Sequence, residues 1–201
     1  MIKVLLPKLE TKRLILRQLS LTDIDDVFEY AKSNNVGPNA GWRPHISKSE
    51  SEAFINYSMK KRDFGQPGIY AIILKENQKM VGTIEIHSYN KYKAEIGFVL
   101  NPDFWGQGIA VEAAKATIIY AFEVLKLKRL QYGYFLFNSR SKRVCEKLEF
   151  VEEGILRNKF QNYDGKIIDE VIASITSEDY HQGKIKWIEE FKKGLKVDSK
   201  A

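Results

Sequence analysis

The residues best suited to chemistry lie in one run, Asn101-Pro102-Asp103-Phe104-Trp105-Gly106-Gln107-Gly108-Ile109-Ala110. A strand-like segment precedes it and a long helical pattern follows. Two glycines and an alanine at such a junction leave backbone N–H groups uncovered by side chains. A helix start carries about four unpaired N–H groups and the positive end of a dipole. Together these suit an anion, phosphate above all. The same Gly-x-Gly spacing also serves a plain strand-to-helix turn, and spacing alone favours neither. No Lys-Ser/Thr follows Gly108, so the run is not a Walker loop. The third glycine and the βαβ setting of a dinucleotide fingerprint are also missing.

Carboxylates nearby offer acid–base chemistry. Alternation along 94–100 puts Glu95, Gly97 and Val99 on one strand face, and along 80–87 it puts Val81, Thr83, Glu85 and His87 on one face. A glutamate in an otherwise apolar central strand is costly unless paired or solvated. Its pKa can rise to a value useful to a general base. Glu95 is the expected base, and Glu85 is expected to be a carboxylate satisfied by a cation. His87 and His45 are either further bases or solvated side chains. Cys145 reads as a small buried filler rather than a nucleophile.

These groups need a frame, and the 201-residue chain is long enough for one domain. No apolar run approaches the roughly 20 residues that span a bilayer. The single cysteine makes no internal disulfide, and residues 1–7 do not read as a signal peptide, so a cytoplasmic protein is expected. Strands are predicted at 13–17, 69–74, 80–87, 94–100, 129–137, 150–158 and 167–175. Those at 69–100 form an antiparallel meander. Helices are predicted from a Thr22–Asp25 capping box to about residue 33, from Ser47 to before Gly65, and over 108–125, 139–148 and 177–193. This order implies a mixed sheet with helices on its faces.

The net charge is +6. Residues 126–147 hold seven basic side chains against one acid, and residues 183–201 hold six lysines against three acids. Such a balance calls for an anionic partner near 126–147.

The stretch Ala94-Glu95-Ile96-Gly97-Phe98-Val99-Leu100, followed by Trp105-Gly106-Gln107-Gly108-Ile109-Ala110-Val111-Glu112-Ala113, resembles the acetyl-CoA motif of the GNAT N-acetyltransferase superfamily. Asn138-Ser139-Arg140-Ser141 with Glu146-Lys147-Leu148-Glu149-Phe150 is similar to its second signature. Leu9-Glu10-Thr11-Lys12-Arg13-Leu14 resembles the start of its RimJ/RimL branch. The resemblance covers residues 8 to 176. It implies an α/β fold with a mostly antiparallel, six-to-seven-stranded central sheet and helices on both faces. The acetyltransferase domain would span 1–176, with a helical, lysine-rich tail at 177–201.

The resemblance implies acetyl transfer from acetyl-CoA to a primary amine, by direct attack. The amine must be neutral: an α-amine needs little help, whereas a lysine starts about 3 units worse, roughly 4 kcal/mol. It implies backbone contacts to the acetyl group and pantetheine from Phe98, Val99 and Leu100, a phosphate cradle over Trp105, Gly106, Gln107, Gly108, Ile109 and Ala110, and a pantetheine contact from Asn138. Arg140, Lys142 and Arg143 are placed to reach the phosphates, or to form a solvated helix face. Ser141 is either the general acid or a helix-start residue. Substrate would meet the 36–45 loop, with Trp42, Arg43 and His45, together with Glu85 and the 160–165 hairpin with Tyr163.

Three positions depart from the family pattern. Trp105 stands where the family has Gln or Arg, Glu149 where it has glycine, and Cys145 where many members have a tyrosine acid. A positive φ at 149 would strain the glutamate. The partners expected are acetyl-CoA and an amine acceptor, with a homodimer left open and no membrane. The alternatives are a non-catalytic acyl-CoA sensor on the same fold and, third, a nucleic-acid binder using Tyr132, Tyr134, Phe135 and Phe137. Alternation buries part of that aromatic set.

Overall fold

The computed structural model describes residues 4 and 6–198. Among them nine strands share one sheet: β1 (Lys8–Glu10), β2 (Leu14–Gln18), β3 (Ile69–Leu74), β4 (Met80–His87), β5 (Lys93–Leu100), β6 (Arg129–Phe135), β7 (Val151–Gln161), β8 (Ile167–Thr176) and β9 (Lys196–Asp198). Their order is β7-β8-β6-β5-β4-β3-β2-β1-β9. The helices are α1 (Ile24–Ala31), α2 (Gly37–Ala40), α3 (Lys48–Lys61), α4 (Ile109–Ile119), α5 (Ser139–Lys147), α6 (Ser177–His181) and α7 (Ile188–Gly194). The mostly antiparallel sheet with helices on both faces expected from the sequence is present, with more strands than the six to seven expected. β1 and β9 are three residues each, too short to show a period of two.

Strand alternation divides the apolar residues between two faces. Leu14, Leu16, Ile72, Ile84, Ile96, Tyr132 and Ala173 pack with Ala113 and Ala116 of α4, Cys145 of α5 and Ile188 of α7. On the other face Ile69, Ala71, Ile73 and Met80 pack with Val27 and Tyr30 of α1 and Ile55 of α3. That second apolar cover reaches β4 and thins out beyond it. On β5, β6 and β8 the same face carries Glu95, Gln131 and Glu170.

β5 and β6 run parallel, but their register extends only from Lys93↔Arg129 to Ile96↔Tyr132. β5 stays with β4 as far as Gly82↔Leu100, and β6 stays with β8 as far as Phe135↔Glu170. The sheet therefore forks after Ile96.

Three local expectations change. The Thr22–Asp25 capping box does not form. The Asp23 carboxylate, paired with Arg17, instead accepts the Ser20 N–H at 2.9 Å, while Asp25 reaches out to Lys48. The last turn of the predicted 108–125 helix widens into a π-turn at Tyr120–Val124. The tail is not one helix: Gly183, at φ +72, breaks it, and β9 then pairs with β1. Tyr180, Ile185 and Ile188 are buried in the main core, and the Trp187 indole donates to the Leu148 carbonyl at 3.1 Å. Glu149 does take a positive φ, +62. Its carboxylate accepts the Lys186 N–H at 2.9 Å, so the strained residue anchors the tail.

The two sheet edges differ. β7 is eleven residues long and almost wholly exposed, Val151, Ile155 and Leu156 included. β9 is three residues long. No helix of the described residues is long and apolar enough to cross a membrane.

Candidate active site

Gly106 and Gly108 both adopt left-handed backbone angles, φ +77 and +76, which a side chain would strain. Gly108 is the N-cap of α4. The first bond inside that helix runs from the Glu112 N–H to the Gly108 carbonyl, at 3.0 Å. The N–H groups ahead of it are the helix's orphan donors, and Gly106, Gly108, Ile109 and Ala110 line a cleft of about 1240 Å³. The opening segment braces this turn. Arg13 donates to the Gln107 carbonyl at 3.0 Å and pairs with the Glu112 carboxylate at 2.6 Å. The Thr11 hydroxyl donates to the same carboxylate, also at 2.6 Å. Burial works to raise the Glu112 pKa, but the Thr11 and Arg13 bonds outweigh it and hold the carboxyl below its ordinary value.

The fork forms the middle of the cleft. Phe98, Val99 and Leu100 line it where β5 has lost its β6 neighbour, so backbone groups along this edge lack a ladder partner. Across the fork, Asn138 caps α5 by accepting the Ser141 N–H at 3.1 Å. The Ser141 hydroxyl lies 2.8 Å from the Tyr132 hydroxyl, which also donates to the Ser141 carbonyl at 3.1 Å. Tyr132 is buried, and burial pushes its pKa far above the ordinary phenol value, so it stays protonated. Arg140 places its guanidinium carbon 4.0 Å above the Trp105 ring, joining the start of α5 to the cradle.

At the far end, carboxylates stand on the uncovered sheet face. Glu95 accepts from the Gln131 amide at 3.2 Å, and its Oε1 lies 4.0 Å from His87 Nε2. A Cβ built on Gly133 would sit 2.8 Å from Glu95 Oε1 and 2.7 Å from Glu170 Oε1. The two carboxylates thus converge over one glycine. Burial, then the neighbouring Glu95 charge, raises the Glu170 pKa. Glu85 is paired with Lys61, as a structural carboxylate would be.

A cleft with an anion cradle at one end, unpaired backbone in the middle and carboxylates at the other end suits group transfer from a phosphate-bearing carrier. A family model described as an acetyltransferase (GNAT) domain matches residues 13–151. The chain belongs to the GNAT acetyltransferase family. It is 30% identical over 174 residues to the uncharacterized N-acetyltransferase p20 of Bacillus licheniformis, covering 86% of this chain and 97% of that one. The crystal structure of a GNAT-family acetyltransferase from Bacillus anthracis superposes with a TM-score of 0.77 at 28% identity, covering 85% of this chain and 99% of that one. A spermidine N(1)-acetyltransferase of Escherichia coli K12 is 32% identical over 85 residues, 42% of this chain and 45% of that one. The protein is an acetyl-CoA-dependent N-acetyltransferase.

Most of the GNAT residues expected from sequence meet in the cleft. Glu95, Ser141, Phe98, Val99, Leu100, Trp105, Gly106, Gly108, Ile109, Ala110, Asn138, Arg140 and Arg143 line it, as do Trp42, Arg43, His45 and Glu85. Three expected residues lie off its wall. Gln107 turns its amide back to the Asp103 carbonyl, at 3.1 Å. Lys142 falls off the helix face that carries 140, 143, 144 and 147 into the cleft. Tyr163 is exposed in the β7–β8 turn. Arg43 is engaged by Glu50, and His45 Nδ1 lies 2.9 Å from the Ser51 hydroxyl, with burial lowering its pKa. Burial pushes the Cys145 thiol up to about 12, in keeping with a filler.

Sequence reading missed Tyr132 as the partner of Ser141, and it missed Glu170. Alternation over 167–176 does put Glu170 beside Ile172 and Ser174. Its proximity to Glu95 follows only from knowing that β8 lies next to β6.

Proposed function

We propose that acetyl transfer takes place at the fork, by direct attack in a ternary complex. The observation that carries this is the end of β5–β6 pairing at Ile96↔Tyr132, which opens unpaired backbone between the cradle and Glu95. Acetyl-CoA supplies the activated acetyl thioester. Orphan N–H groups at the start of α4 bind its phosphates, supported by Arg140 and Arg143, which have no carboxylate partner within 4 Å among the described residues. Backbone N–H groups along 98–100 stabilise the developing oxyanion. Glu95 takes the proton of the attacking amine. The Ser141 hydroxyl, steadied by Tyr132, donates a proton to the departing sulfur.

The acceptor is a primary amine. The spermidine-acetylating relative supports a small-molecule amine, and the RimJ/RimL-like opening supports a peptide N-terminus. The reading includes a cytoplasmic location and a homodimer joined at the β7 edge. Nucleic acid is not part of it: of the four aromatics named for such a role, Tyr132, Tyr134 and Phe135 are buried and Phe137 alone is exposed.

An acceptor screen that follows release of CoA thiol over peptide N-termini, polyamines and amino acids tests the reading. Initial-rate plots against both substrates should intersect. Parallel plots would indicate an acetylated enzyme and overturn direct attack.

A further inference from the structure

Four acids bear on the cleft wall, and they fall into two classes. Glu85 pairs with Lys61 and Glu50 with Arg43. Glu95 and Glu170 make no ion pair with a lysine or arginine within 4 Å among the described residues. Glu95 has the neutral Gln131 amide and His87 at 4.0 Å. Glu170 feels the Lys159 charge on β7 without a close pair. Like charges converging at one spot are costly unless a proton or a cation joins them. Gly133 has no side chain, so both carboxylates pack down to 2.7 and 2.8 Å from where its Cβ would stand, beside the buried Phe135 and Ile172 of the same sheet face.

The geometry points to Glu170 as a further acceptor-binding residue, which with Glu95 seats the acceptor over Gly133 and favours amines that carry a second positive charge. The inference rests on the acceptor end proposed above. The proton balance supports it. The reacting ammonium gives one proton to Glu95 and attacks as a neutral amine, its second proton replaces the one that Ser141 gives to the departing sulfur, and the Glu170 charge is left for a second cationic group of the same acceptor. A monoamine leaves that carboxylate unanswered. Glu170 therefore acts on binding and selection, and the proton transfer stays with Glu95.

Calorimetric titration of 1,4-diaminobutane and of butylamine into the CoA-loaded enzyme tests this. The wild type should bind the diamine at least tenfold more tightly. Glu170→Gln should erase that preference while leaving butylamine binding and CoA affinity within twofold. Gly133→Ala keeps both carboxylates but drives a methyl group between them, and it should weaken the diamine selectively. Equal binding of the two amines by the wild type, or a preference that survives in both variants, would overturn the inference. Turnover of Glu95→Gln is read separately. Full activity there removes Glu95 as the base but leaves the Glu170 result to stand by itself.

Discussion

At the α4 end of the cleft the binding groups are backbone N–H donors, aimed by two left-handed glycines. At the β8 end they are carboxylates standing over a glycine floor. The first kind depends on chain conformation, and the second on which strands happen to be neighbours. A backbone site tolerates a changed side chain, as at Trp105, which fills a Gln/Arg position and carries Arg140 on its ring instead. A side-chain site has no such tolerance, because its chemistry is the side chain.

Changes confined to one end should leave the other intact, and the sharpest break comes at the cradle. Gly108→Glu puts a side chain at φ +76 and a negative charge among the phosphate donors, so acetyl-CoA binding by calorimetry should fall below detection. Retained tight binding would remove the cradle from the cofactor site. Next, Glu95→Gln should lower kcat by roughly a hundredfold or more with acetyl-CoA affinity within twofold. A matched loss of affinity would show that the two ends are coupled. Trp105→Ala removes the platform under Arg140 and should weaken CoA binding by roughly three- to fivefold, with the acceptor KM unmoved.

The smallest effect concerns the brace behind the cradle. Glu112→Gln should cost about 1 kcal/mol of stability at neutral pH, given its partly exposed Arg13 partner. The sign follows from a folded-state pKa lowered below the ordinary 4.5. The contribution is complete above that value and is lost as pH falls through the lower folded value. Thermal melts of wild type and variant should therefore differ at pH 7 and converge in acid. A constant gap would mean that the Glu112 charge plays no part.

The same contrast explains what could be read from the sequence. The meander, both glycines and the start of α5 at Asn138 were legible because each is a local pattern with a local cause. The positive φ at Glu149 was legible only as a conditional expectation from the family resemblance, which puts a glycine at that position. Glu170 was not legible, because its meaning depends on Gly133, 37 positions earlier, and on β8 lying beside β6. The Arg13–Glu112 brace, 99 residues apart in the chain, was hidden for the same reason. β1 and β9 escaped because three residues carry too little periodicity to register.

The unequal sheet edges have a consequence for how large an assembly of this chain can grow. A sheet extends through unpaired edge strands, and an edge of three residues offers little to hold a neighbour. Contact through two copies of β7 about a twofold axis consumes the long edge of each. In the dimer proposed above, only the short edges of the described residues would face outward, and growth by strand addition would end at two chains. The expected product of β7 pairing is then a closed pair and not a filament.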